Sequence, residues 1–176
     1  TFELLGKKRE KIKCYASGGS IIMKEGEIQK EVEKLANKGF DSYKMRVGYQ
    51  AWDNDLKRVK SARKNFSKGN LMVDAIMGTL RPPWNLNEAL KKIEDLSELE
   101  IKWIEEPLHP DATEDLLKLK QQSKIPIAAG EAYSGILEYN NLIKNKSVDI
   151  LQFDCTHSGG IEICKNLSKK CLNNKI

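Results

Sequence analysis

Residues 101–131 read IKWIEEPLHPDATEDLLKLKQQSKIPIAAGE. An apolar, β-favouring run from Lys102 to Glu105 stops at Pro107, whose ring nitrogen cannot donate to a sheet ladder. Asp111, with Glu114 three residues on, has the spacing of a helix-capping pair and precedes a helix expected over Leu116–Gln122. Pro126 introduces a second apolar run that lasts to Ala129. Strand, helix and strand in about thirty residues is the length of a βαβ unit, which makes its two strands parallel.

The same unit repeats outward in both directions. Toward the N-terminus lie a strand near Ile12–Tyr15, a Ser-Gly-Gly loop and a helix around Ile28–Lys38, where Ile28, Val32 and Leu35 fall at helical spacing and Gly39 caps the end. A strand over Ser42–Val47 with its helix near Leu56–Phe66 follows. Next comes a strand over Leu71–Asp74, a Pro82-Pro83 loop and a helix opened by Asn85 with Glu88. Toward the C-terminus a helix near Leu137–Lys144 leads to a sixth strand over Asp149–Asp154, then Gly159-Gly160 and a last helix from Ile161 to Asn173. Six βα units without a linker or low-complexity tract predict an α/β fold with one parallel sheet.

Composition narrows the function classes. Of 176 residues, 40% are hydrophobic and 31% charged, a globular balance, and no apolar run approaches the length of a bilayer span. The N-terminal TFELLGKKREK lacks the layout of a signal peptide, which points to the cytoplasm. Thirty basic against 25 acidic residues give a net charge of +5, but the two signs are mixed along helices, as in KKIEDLSELEIK, without interleaved aromatics. That is a solvated surface rather than a nucleic-acid footprint. Cys14, Cys155, Cys164 and Cys171 form no CxxC pair and read as reduced thiols.

Charged residues gather at the C-terminal ends of the strands: Lys44 and Arg46 on the second, Asp74 on the third, Glu105 on the fourth, Glu131 after the fifth and Asp154 on the sixth. Each is expected to be buried among apolar neighbours, where a carboxylate is avoided unless it is paired or binds a cation. A single such acid would be explained by helix capping or a lysine partner. Asp74, Glu105 and Glu131 come from consecutive strands, and in a parallel barrel the C-terminal strand ends meet at one mouth. Three carboxylates there would repel one another without a cation, and oxygen ligands of this kind suit Mg²⁺.

The segments GFDSYKMRVGY, LMVDA, WIEEPLHPD, IPIAAGEAYSG and LQFDCTHSGGI, in this order, resemble the strand-end motifs of the enolase superfamily in its mandelate racemase/muconate lactonizing enzyme group. LLGKKREKIKCYAS resembles the family's approach to the first barrel strand. The resemblance implies a TIM-type (β/α)₈ barrel of which six units are present over residues 11–176. Residues 1–10 would be the tail of a connection from an N-terminal capping domain, with two more units beyond Ile176. It implies that Asp74, Glu105 and Glu131 bind one Mg²⁺, that Lys44 faces a substrate carboxylate, and that Asp154 pairs with a histidine from the seventh strand. Two positions depart from the pattern: Arg46 stands where the family has a second lysine acting as base, and Ile76 stands where it often has Asn. A guanidinium stays protonated and accepts protons poorly, although it binds a carboxylate in fork fashion.

The implied activity is Mg²⁺-dependent removal of the proton α to a carboxylate, with a metal-stabilised enediolate. With Arg46 in place of the second base, dehydration of a hydroxy or sugar acid fits better than racemisation. The alternatives are a racemase, epimerase or cycloisomerase of the same superfamily, and a catalytically silent barrel used for binding. Glu106 and His157 are candidates for supporting or substrate contacts, although His157 fits better as a loop residue bonded only to its surroundings. His109 reads as a turn residue, and Tyr49, Trp52 and Trp84 as packing. The expected partner is a small carboxylic acid, with no nucleic acid and no membrane, and the whole protein is expected to form a homo-oligomer.

Overall fold

Six strands, alternating with helices along the chain, form a single sheet. The computed structural model describes residues 2–7 and 9–176. A short helix α1 (Phe2–Leu5) precedes β1 (Ala16–Gly18), α2 (Glu25–Asn37), β2 (Ser42–Arg46), α3 (Trp52–Asn65), β3 (Asn70–Asp74) and α4 (Leu86–Leu96). A 3₁₀ turn (Ser97–Leu99) leads to β4 (Ile101–Glu105), α5 (Thr113–Gln122), β5 (Ile127–Ala129), α6 (Ile136–Asn145), β6 (Ile150–Leu151) and α7 (Ile161–Asn174).

The strands lie side by side in chain order, β1 to β6, and every pair is parallel. A doubly wound sheet would reverse its order at a switch point. Here each right-handed crossover advances the same way, so the helices cover one face and the other is left concave, as in a barrel wall. Among the described residues, no helix is long and apolar enough to cross a membrane.

Strand alternation sorts the core. Tyr43, Met45, Leu71, Val73, Ile104 and Ile127 are fully buried, and they pack with Ile28 and Val32 of α2, Val59 and Ala62 of α3, Ala89 and Ile93 of α4 and Leu119 of α5. Each large aliphatic side chain so buried contributes about 1.5–3 kcal/mol. Local signals set the helix ends. Glu88 N donates to Asn85 Oδ1 at 3.0 Å and Asn85 N to Glu88 Oε2 at 2.9 Å, the reciprocal cap its spacing predicts. α2 closes with Gly39 at φ 84°, its N–H bonded to Ala36 O and that of Phe40 to Leu35 O.

Three expectations are corrected. The first strand is Ala16–Gly18 rather than Ile12–Tyr15, because Ile12 is 78% exposed and the ladder to β2 begins at Ala16 opposite Tyr43. The sixth strand is confined to Ile150–Leu151, so Asp154 lies beyond its end. Asp111 does not cap α5: Ala112 holds that place without a side-chain bond, and the Asp111 carboxylate turns to His109, 3.4 Å away.

Candidate active site

Arg46, Asp74 and Glu105 are the last residues of three adjacent strands and stand in one register, Arg46 opposite Asp74 and Asp74 opposite Glu105. Alternation turns all three to the concave face, together with Lys44 two residues earlier on β2. Their strand neighbours fill the helix-facing core, and the polar side chains share this face with Met72 and Trp103.

Lys44 is the centre of the floor. Its ammonium lies 2.6 Å from Glu105 Oε1 and 3.5 Å from Asp74 Oδ2, and the residue is 8% exposed. It also stands 5.8 Å from the centre of the Tyr15 ring, which meets Trp103 edge to face. Burial pulls its pKa down, but the hydrogen bond to Glu105 and the charges of Asp74 and Glu105 outweigh that and hold it above the ordinary lysine value. Asp74 is pushed up to about 6, by burial first and then by the Glu105 charge, against the opposing pull of Lys44. Its Oδ1 accepts the Ile76 amide at 3.1 Å. Arg46 stays half-exposed, with Nε 4.0 Å from Asp74 Oδ2.

Glu106 is drawn into the same field. Its Oε1 accepts from the Ala132 amide at 3.2 Å. Burial, then Asp74, with Glu131 and Glu105 behind it, push Glu106 up to about 7. Asp74, Glu105, Glu106 and Glu131 therefore share one end of the sheet and act on one another electrostatically.

The expectation of uniform burial is overturned for three of the charged residues. Glu131 and Asp154 are exposed and Arg46 is half-exposed. The two acids sit past the ends of short strands: β5 stops at Ala129 and β6 at Leu151, which leaves Glu131 and Asp154 in the turns that follow. Asp154 Oδ1 instead accepts from the Thr156 amide at 2.7 Å and its hydroxyl at 2.8 Å. These bonds, the backbone one foremost, hold the carboxyl below the usual range. His157 is exposed in the same turn, its amide 3.3 Å from the Asp154 carbonyl. His109 O accepts the Ala112 amide at 2.9 Å, as a turn residue does.

Among the described residues, no three His, Cys, Asp or Glu side chains close around one point. Asp74 and Glu105 are joined through Lys44, while Glu131 stands at the rim, coupled to them through Glu106. The donor set nonetheless suits a hard divalent cation. All the candidate ligand atoms are carboxylate oxygens, and Glu105 Oε2 is buried without a hydrogen-bond partner.

The site has two features that the sequence reading did not include, a strained backbone beside two strand-end acids and a buried ion pair beneath them. Ile76, two residues past Asp74, and Glu106, directly after Glu105, have φ of 47° and 42°, left-handed values that are strained in a β-branched residue above all. Asp55 and Arg58 of α3 form a buried ion pair under the mouth. Arg58 donates to the carbonyls of Arg46 at 3.2 Å, Gly19 at 3.2 Å and Ser20 at 2.7 Å, and Asp55 Oδ2 accepts the Gly48 amide at 2.7 Å. This pair ties the loops after β1 and β2 together and fixes the backbone that carries Arg46. Its signal was present in the sequence: Asp55 and Arg58 share a helix face with Val59 and Ala62, charged residues at core spacing.

Residues 27–175 match the enolase C-terminal domain-like family. The arabinonate dehydratase of Saccharolobus solfataricus is 28% identical over 168 residues, covering 91% of this chain and 42% of its own length. The L-talarate/galactarate dehydratase of Salmonella typhimurium is 29% identical over 161 residues, covering 90% and 39%. The crystal structure of L-talarate dehydratase from Polaromonas sp. JS666, complexed with Mg and L-glucarate, has a TM-score of 0.90 at 27% identity and covers 99% of this chain and 48% of that one. A racemase, an epimerase and cycloisomerases are also among the relatives. The chain spans less than half the length of the proteins it matches. The matched stretch takes in β2 to β6 and every candidate site residue, and on that ground the chain belongs to the enolase C-terminal domain-like family, in the mandelate racemase/muconate lactonizing group of the enolase superfamily.

Proposed function

We propose that the whole protein is a magnesium-dependent lyase that dehydrates a small hydroxy or sugar acid. The observation that carries this reading is the floor of the mouth, where Lys44 lies 2.6 Å from Glu105 and 3.5 Å from Asp74 while Glu105 Oε2 keeps no protein partner. Asp74, Glu105 and Glu131 would hold Mg²⁺. When bound, Mg²⁺ supplies a fixed positive charge where negative charge builds on the substrate carboxylate. In this reading Lys44, kept charged by its two acids, donates to that carboxylate and lowers the cost of removing the α-proton. Glu106, bonded to Ala132, backs the ligand set, and His157 borders the mouth.

The chemistry breaks the α C–H bond, sends its electrons into a Cα–Cβ double bond and expels the β-hydroxyl as water, leaving an enol that tautomerises to a 2-oxo-3-deoxy acid. One group that takes the α-proton and returns a proton to the departing hydroxyl suffices. Racemisation needs a base on each face of the carbon, and Arg46 offers a guanidinium fork to an anion rather than a proton acceptor. Asp154, kept ionised by Thr156, is suited to orient the histidine that the family resemblance expects from a seventh strand. Residues 11–176 would then be barrel wall, with residues 1–10 leading in from a capping domain. The dehydratases among the relatives and the chain's coverage of less than half their length support this division.

The test is to incubate the whole protein and Mg²⁺ in D₂O with arabinonate, L-talarate and galactarate, following products by NMR. The expected result is a 2-oxo-3-deoxy acid from at least one of them. Fast inversion at the α-carbon of an acid that lacks a β-hydroxyl would show a second working base and overturn the dehydratase reading.

A further inference from the structure

The turn that carries Glu131 and the turn that carries Asp154 meet at one atom. Tyr139, on α6, is fully buried. Its hydroxyl lies 2.5 Å from the carbonyl of Tyr133 and 3.3 Å from that of Gly130, both in the turn around Glu131. The same oxygen is 2.6 Å from Ser158 Oγ, in the turn that begins at Asp154. Ser158 is itself 2% exposed, and its amide closes that turn on the Asp154 carbonyl at 2.8 Å. The ring of Tyr139 meets Tyr133 and Phe153 edge to face, at 6.3 Å and 6.2 Å. From Tyr133 the connection continues, since its hydroxyl donates to Pro110 O at 2.6 Å in the loop behind Glu106.

A phenol with one proton and two lone pairs is filled by this arrangement: it donates toward the turn of Glu131 and accepts from Ser158. Glu131 and Asp154 stand two and three residues past the ends of β5 and β6, so the sheet does not place them. We infer that Tyr139 is the positioning residue for both, its hydroxyl holding the Glu131 turn and, through Ser158, the Asp154 turn. The inference rests on the proposed reading that Glu131 belongs to the Mg²⁺ ligand set. Residues that orient metal ligands from behind typically change metal affinity by about 10–100-fold when removed.

Three variants of the whole protein separate this role from mere packing. Tyr139→Phe keeps the ring and deletes the hydroxyl. Ser158→Ala deletes the link to the Asp154 turn alone. Tyr43→Phe removes another buried tyrosine hydroxyl, the one 2.5 Å from Glu31, in a region that carries no candidate ligand. Mg²⁺ affinity by calorimetry and amide hydrogen exchange over residues 130–135 and 154–159 are the readouts. Tyr139→Phe is expected to weaken Mg²⁺ by about tenfold or more and to speed exchange in both turns. Ser158→Ala is expected to speed exchange over 154–159 and leave Mg²⁺ affinity within about twofold, and Tyr43→Phe to leave both turns and the affinity unchanged. Equal losses of affinity in Tyr139→Phe and Tyr43→Phe, or wild-type affinity in Tyr139→Phe, overturn the inference. Should Tyr139→Phe not fold, unchanged exchange at 154–159 in Ser158→Ala overturns it instead. If the unsubstituted protein binds no Mg²⁺, the ligand-set reading falls and this inference with it.

Discussion

Asp74 and Glu131 show what a residue's place on its strand decides. Asp74 is the final residue of β3, so the sheet carries it into the buried floor, whereas Glu131 follows β5 by two residues and is delivered to the rim. Residue types at strand ends were enough to name both, and Lys44 with Glu105, as candidates. Exposure was not legible, because it depends on whether the strand ends at the acid or before it, and strand ends are set by pairing rather than by composition. Ile76 was visible as a departure from the family pattern, but not its left-handed backbone, since a β-branched side chain argues against that conformation. Tyrosines offer a pH test at this scale. Burial, and then the charge of Glu138, push Tyr133 up to about 12, and burial raises Tyr43 and Tyr139 as well. An acid whose folded pKa is raised keeps its proton in the fold while the unfolded chain ionises, so stability is complete below pH about 10 and is lost as pH rises from there to about 12. The loss from Tyr133 is on the order of 2 kcal/mol. Urea denaturation at pH 8 and pH 11 measures it, and equal stability at the two pH values would contradict the burial of these hydroxyls.

Among elements, the helices were read more closely than the strands. The Asn85–Glu88 cap and the Gly39 terminus follow from local chemistry, and both formed as their spacing predicts. β1 was misplaced because Ile12 to Tyr15 has better strand residues than Ala16 to Gly18, and the partner strand overrode that preference. In α3 the buried pair of Asp55 and Arg58 was missed, although both fall on the apolar face, because its purpose is clear only with the loops in view. Arg58→Met leaves Asp55 buried without its counter-charge, and the expected cost is about 3–5 kcal/mol. Asp55→Leu combined with Arg58→Met removes both charges and is expected to recover part of that loss. Chemical denaturation of the single and double variants gives the comparison. A single variant within about 1 kcal/mol of the parent would show that the pair does not hold the loops.

For the whole molecule, the sequential order of six parallel strands is what gathers acids separated by up to 57 positions, Asp74 to Glu131, at one end of one sheet. The unbroken βα alternation made a single parallel sheet foreseeable, while the barrel-type order followed from the family resemblance, since the same alternation also suits a doubly wound sheet. The concave face is thereby left to Lys44, Asp74, Trp103 and Glu105, and their mutual field follows from proximity that no single stretch of sequence contains. The proposed function requires the mouth to hold a divalent cation on Asp74 and Glu105 from two strand ends and Glu131 from the turn after a third. Calorimetric titration of the whole protein with Mg²⁺ at pH 8, beside the Glu105→Gln variant, tests it most directly. The expected result is one site per chain in the parent and a loss of affinity of at least about a hundredfold in Glu105→Gln. Absence of Mg²⁺ binding by the parent, or binding that Glu105→Gln leaves unchanged, would contradict it.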